Sequence, residues 1–140
     1  MTVVVDASVV IKWLLQDPQR ESGTEKATQL MESIASGELA ALQPAHWLTE
    51  VGAVLARATP ETAPEDVFML SALGLRESDD PLVLRRGVEL AIELKQHLFD
   101  AYYHALALET PDATLITADE KYARAAQAKG RLVYLMDWGG

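Results

Sequence analysis

The sequence predicts an α/β protein, a three-layer α/β/α sandwich around a mostly parallel sheet, and three observations carry that expectation. Strand-like and helix-like runs alternate along the chain, the pattern that builds parallel sheets covered on both faces. The opening run Val3-Val4-Val5 is wholly β-branched and apolar, as a strand buried on both sides should be. The chain has 140 residues and no repeat, low-complexity tract or linker, so residues 1–140 form one domain with one core.

The elements follow in order. After the Val3–Val5 strand, Ala7 to Leu15 reads as a helix with Val9, Val10, Trp13 and Leu14 on one side, closed by Pro18. Ser22 to Ser36 carries Ala27, Leu30, Met31 and Ile34 at the helical period and stops at Gly37. Leu39 to Leu42 is a short strand ending at Pro44, and Ala45 to Ala58 a helix with Leu48, Val51, Val54 and Leu55 together. Thr59 to Pro64 reads as a loop. A helix begins near Pro64, where proline suits a first turn and Glu65 and Asp66 suit the positive helix end. Leu73 to Glu77 is a candidate edge strand, and Pro81 to Gln96 and Asp100 to Glu109 are helices. Ala113 to Thr117 is a strand, Glu120 to Lys129 a helix ended by Gly130, and Leu132 to Leu135 the last strand.

Composition narrows the function classes. There is no cysteine, which excludes disulfides, thiolate metal sites and cysteine nucleophiles. No apolar run reaches the ~18 residues of a membrane span. The first residues lack a basic region and meet Asp6 too early for a secretory signal, so a cytoplasmic location is expected. The net charge of −9 is unusual for a protein that grips nucleic acid through an extended basic face. It leaves two readings open: an acidic enzyme acting on a small molecule, or a site whose acids hold cations. An acidic surface also attracts basic protein partners.

Parallel sheets place their sites at the carboxyl ends of their strands. Asp6 follows the first strand at once, and Asp119 follows the Leu115-Ile116-Thr117 strand after one alanine. Either acid alone can equally cap the helix behind it; the repetition favours shared chemistry. Ser8 and Thr117 add hydroxyls near the same edge. Glu50 lies in a small and apolar stretch, and Asp100 opens a helix as a candidate N-cap. Four carboxylates in one pocket repel one another and stay charged only around a cation. Oxygen ligands alone suit Mg²⁺ or Mn²⁺, and the chemistry then available is phosphoryl transfer to water, with a second ion about 4 Å away completing a two-metal clamp.

Several segments together resemble the PIN domain, most closely the VapC-like toxins of toxin–antitoxin pairs. They are Asp6-Ala7-Ser8 after the valine strand, Pro44 with Glu50-Val51, Phe99-Asp100-Ala101-Tyr102-Tyr103 leading to Ala105-Leu106-Ala107, and Leu115-Ile116-Thr117-Ala118-Asp119. The resemblance covers essentially the whole chain. It implies a PIN-like sandwich and a Mg²⁺- or Mn²⁺-dependent endoribonuclease acting on an RNA substrate. It also implies a cognate basic antitoxin that blocks the site, and a homodimer formed through the early helices, with Trp13 and Leu14 as contributors. Position by position, Asp6, Glu50, Asp100 and Asp119 match the family's catalytic and metal-binding quartet, with Ser8 and Thr117 matching polar positions beside it. Many relatives carry asparagine three residues after the glutamate, where this chain has Ala53.

Other residues are weaker candidates. His46, His97 and His104 share no metal spacing, but His104 follows Asp100 by one helical turn and is a candidate site residue. Tyr102 and Tyr103 are candidate base-stacking residues, with one of them expected in the core. Lys12, Arg85, Arg86, Lys95 and Arg124 are read chiefly as solvated charge, as are Asp17, Asp79, Asp80, Asp112 and Asp137; Trp13, Trp47 and Trp138 are read as packing residues. A receiver-like signalling domain would need an acid pair at strand one, a central acceptor aspartate and a late lysine, which the chain lacks in order. A PIN-like module that only binds a partner is the remaining alternative, and the complete quartet argues against it.

Overall fold

The computed structural model describes residues 1–15 and 23–139, so Pro18, Ser22 and Asp17 lie outside the described residues. The strands are β1 (Thr2–Val5), β2 (Ala40–Pro44), β3 (Arg76–Ser78), β4 (Ala113–Thr117) and β5 (Leu132–Tyr134). They form one sheet in the order β3-β2-β1-β4-β5, and every neighbouring pair is parallel. The mostly parallel sheet expected from the sequence is therefore parallel throughout.

The helices are α1 (Ala7–Leu15), α2 (Thr24–Ala35), α3 (Trp47–Ala58), α4 (Ala63–Ser71), α5 (Pro81–Leu94), α6 (Leu98–Glu109) and α7 (Glu120–Ala126). They flank the sheet to give the α/β/α sandwich. Val3, Val4, Val5, Leu115 and Ile116 are almost wholly buried, which is why these two strands read as continuous apolar runs. Helix α6 lies against β1, β2 and β4, and α5 packs on α6. That packing is close: a Cβ at Gly87 would stand 3.3 Å from the Tyr102 backbone. Trp13 and Leu14 are partly buried against the chain's own core.

Several boundaries differ from the sequence expectation. The edge strand expected over Leu73–Glu77 is Arg76–Ser78, paired with Leu42–Pro44. Helix α4 starts at Ala63, one residue before Pro64. The helix expected over Glu120–Lys129 stays α-helical to Ala126 and tightens to a 3-10 turn over Gln127–Lys129 before Gly130 turns at φ 77°. Asp80, read as surface charge, caps α5 by accepting a hydrogen bond from the Leu82 amide at 2.9 Å. Asp100 does not open its helix. Leu98 and Phe99 precede it in the helix, behind His97 as the N-cap residue, so Asp100 sits in the first turn.

Candidate active site

The chain reverses its direction of travel across the sheet at β1 and β4, which pair from Thr2–Ala113 to Val5–Ile116. This is the switch point at which the carboxyl ends of two strands leave a crevice between diverging loops. Asp6 and Asp119 leave the two strands at that edge.

Asp6 is 5 % exposed. Its Oδ2 accepts hydrogen bonds from the Ser8 amide at 3.0 Å and the Ser8 hydroxyl at 2.5 Å. The same hydroxyl oxygen accepts from the Ala118 amide at 3.0 Å, so Ser8 ties the turn after β1 to the turn after β4. Thr117 Oγ1 accepts from the Asp119 amide at 3.1 Å, and Asp119 Oδ1 accepts from the Tyr122 amide at 3.0 Å, capping α7. The capping reading of Asp119 is therefore correct for one oxygen.

Glu50 lies in the first turn of α3 and is 20 % exposed. Its Oε1 accepts from the Tyr103 hydroxyl at 3.4 Å, while its Oε2 is shielded and has no hydrogen-bond partner. The His46 ring stands beside that oxygen, with Nε2 at 3.6 Å, and neither ring nitrogen is hydrogen-bonded.

The four acids share one electrostatic neighbourhood. Burial pushes the Asp6 carboxyl up to about 7 against the bonds from Ser8, with Asp100 and Glu50 adding to the rise. Burial, then Asp119 and Glu50, push Asp100 up to about 6, opposed by His97 and Lys121. Burial and the surrounding acids also raise the Tyr103 phenol.

Among the described residues, no three histidine, aspartate or glutamate side chains converge tightly enough to enclose an ion. The donor set nevertheless fits a small hard cation. Magnesium-sized ions keep several waters and take only one or two carboxylates, so a closed protein cage is not required. The unpartnered Glu50 Oε2 and the two raised carboxyls are the groups such a charge would satisfy.

The fold and the site define an α/β/α sandwich with acids gathered beyond the carboxyl ends of its central parallel strands. The chain matches the PIN domain family over residues 3–128, nearly its full length, and belongs to that family. PIN domains are generally nucleases, and the nucleases among them generally use divalent metal ions. No curated protein matches the chain.

Some candidates fall elsewhere. His104 is fully buried; its Nδ1 meets the Tyr122 hydroxyl at 2.9 Å and its Nε2 the Gly130 carbonyl at 2.8 Å. Both nitrogens are engaged, so His104 ties α6 to α7 instead of lining the acids. Tyr103 is the core tyrosine of the pair. Arg85, Arg86 and Arg124 pair with Glu89, Glu109 and Glu120.

Sequence reasoning also passed over contributors. Gln43, fully buried in β2, brackets Val5: its amide nitrogen donates to the Val5 carbonyl at 2.8 Å and its oxygen accepts from the Val5 amide at 2.7 Å. This side chain replaces the ladder between β1 and β2 immediately before Asp6, holding the strand ends apart. A lone polar residue inside an apolar strand was the available signal. Trp47 Nε1 donates to Glu77 at 2.8 Å, and the ring cluster around His46 had no signal in local spacing.

Proposed function

We propose that this PIN domain protein is a Mg²⁺- or Mn²⁺-dependent endoribonuclease that acts in the cytoplasm as the toxin of a toxin–antitoxin pair. The observation that carries the reading is the burial of Asp6 and Asp100 close to other acids, Asp6 near Asp100 and Glu50 and Asp100 near Asp119 and Glu50, in a family whose nucleases generally use divalent ions. Asp6, Glu50, Asp100 and Asp119 are the residues assigned to hold the ion. The chemistry an ion supplies there is polarisation of a phosphodiester and acidification of water. Ser8 fixes the Asp6 carboxylate, and Thr117 fixes the turn that presents Asp119. The buried Tyr103 hydroxyl steadies Glu50 from behind.

The net charge of −9 and the anionic pocket suit a basic antitoxin, encoded beside the gene, that inserts an arginine or lysine near Asp6 and Asp119. A homodimer through the early helices belongs to the same reading. RNA cleavage by the purified protein should rise and saturate with Mn²⁺ and vanish with a chelator, while Ca²⁺ supports little turnover. Full cleavage in excess chelator overturns the metal mechanism. Co-expression with the neighbouring gene should yield a stoichiometric complex in which partner and Mn²⁺ compete. Absence of a complex, with growth unaffected by expression alone, refutes the toxin role and leaves the nuclease intact.

A further inference from the structure

Beside Glu50 and Asp100 stands a group of rings that the acid chemistry does not use. The His46 ring stacks on Tyr102, with centroids 4.9 Å apart and planes 18° apart, and lies 5.0 Å from the Phe99 ring at 46°. Phe99 is 56 % exposed although one side of it meets His46. It immediately precedes Asp100, and the ring it leans on has its Nε2 3.6 Å from the Glu50 carboxylate. An aromatic surface that meets His46 and is otherwise largely exposed thus stands with one ring between it and Glu50, on the residue that precedes Asp100.

We infer that Phe99, backed by His46 and Tyr102, is a shelf on which one unpaired nucleobase of a single-stranded RNA stacks next to the bond presented to the acids. This deepens the nuclease reading and rests on it.

The charges around the shelf give it a direction. Asp79 and Asp80 make the Tyr102 end anionic, which repels a phosphate backbone. Lys121 and His97 lie near enough to Asp100 to offset part of its charge, so the Asp100 side of the shelf is the one that tolerates phosphate. A strand therefore lies with its backbone toward Lys121 and His97 and one base turned onto Phe99. Bases in a duplex are already stacked and cannot make this contact, so the shelf selects single strands, loops and ends. It also explains how so acidic a chain holds RNA, since stacking gains affinity without cationic surface.

The test uses the full chain in Ca²⁺, which neutralises the acids without appreciable turnover, and a short single-stranded oligoribonucleotide carrying 2-aminopurine. Wild-type protein should quench the 2-aminopurine fluorescence. Phe99→Ala should abolish the quenching and weaken binding roughly tenfold, within the range for one stacked base. Phe99→Trp should retain both, and Phe99→Leu should behave as alanine because bulk without a ring does not stack. An oligonucleotide abasic at the probe position should bind wild type and Phe99→Ala equally. No quenching by wild type, full affinity of Phe99→Leu, or an undiminished abasic ligand overturns the shelf. Melting temperatures identify a variant that fails to fold, in which case Phe99→Leu and the abasic ligand decide. Cleavage in Mn²⁺ is scored separately. A wild-type protein that quenches yet cuts no RNA refutes the nuclease reading and keeps the shelf; one that cuts RNA with Phe99→Ala unchanged in binding refutes the shelf alone.

Discussion

Asp6 and Asp119 are tied into backbone by Ser8, Thr117 and the first turns of α1 and α7, whereas Glu50 has a single long bond from Tyr103 and one oxygen with no partner. The first pair belongs to the central strands, and its geometry is set when β1 and β4 pair. The second region, α3 against the start of α6, is assembled from residues far apart in sequence and leaves polar atoms unsatisfied. The contrast teaches that half of the candidate site is held by the chain's own hydrogen bonds, while the other half keeps polar atoms that the chain does not satisfy. Unsatisfied buried groups cost stability, so on the proposed reading their place beside Asp100 is where a bound ion would contribute most.

The largest effect that tests this comparison is on cleavage. Asp6→Asn, Glu50→Gln, Asp100→Asn and Asp119→Asn should each lower RNA cleavage at least about 100-fold, the loss expected when a charge-stabilising group leaves such a site. All four should stay folded. In chelator, Asp6→Asn should be more stable than wild type, because it removes a buried charge that Asp100 and Glu50 oppose. Normal cleavage by Asp100→Asn takes that residue out of the site.

The same division explains what could be read from the sequence. The placement of Asp6 and Asp119 at the sheet's carboxyl edge was legible because each follows, at once or after one alanine, a strand whose burial is written in its own residues. Asp100 was expected to open its helix and does not, since Leu98 and Phe99 are exposed apolar residues that carry no capping signal. His104 shares helical spacing with Asp100, yet α6 is buried on most sides and hands His104 to Tyr122 and Gly130. The rings of His46, Phe99 and Tyr102 meet only where the residue before α3 packs against the start of α6, which no local pattern reports. The edge strand slipped because β3 takes its register from β2, not from its own apolar content.

A second, smaller effect is on stability against pH in the metal-free protein. An unfolded aspartate titrates near 3.9, whereas Asp6 in the folded chain titrates at about 7 and Asp100 at about 6. Between those limits the folded state holds more protons than the unfolded one, so these two groups make stability fall as pH rises from about 4 to 7. Their stabilising contribution is full below the unfolded value and lost through the folded value. The melting temperature in chelator should therefore drop by several degrees across that window, and Asp6→Asn should flatten the drop. Saturating Mn²⁺ at neutral pH should restore the lost stability by binding only the folded state. A metal-free melting temperature that climbs between pH 4 and 7 and responds to Asp6→Asn with no change would contradict the burial of that charge.

The smallest effect distinguishes the two hydroxyls within the preorganised half. Ser8 serves two partners, donating to Asp6 and accepting from the Ala118 amide, so its loss frees a buried carboxylate and a backbone donor together. Thr117 serves the Asp119 amide alone among the bonds seen at that turn. Ser8→Ala should cost about 1–2 kcal/mol in denaturant unfolding, and Thr117→Val about 1 kcal/mol or less, following the worth of single hydrogen bonds. Cleavage should follow the same order, because Ser8 holds the Asp6 oxygen in place while Thr117 holds only the chain that carries Asp119. Ser8→Ala should thus raise the Mn²⁺ concentration needed for half-maximal cleavage more than Thr117→Val does. Equal losses in both variants would mean that the turn after β4, not the link between the two turns, sets the geometry of the acids. No loss in either would place the preorganisation in the strand pairing alone.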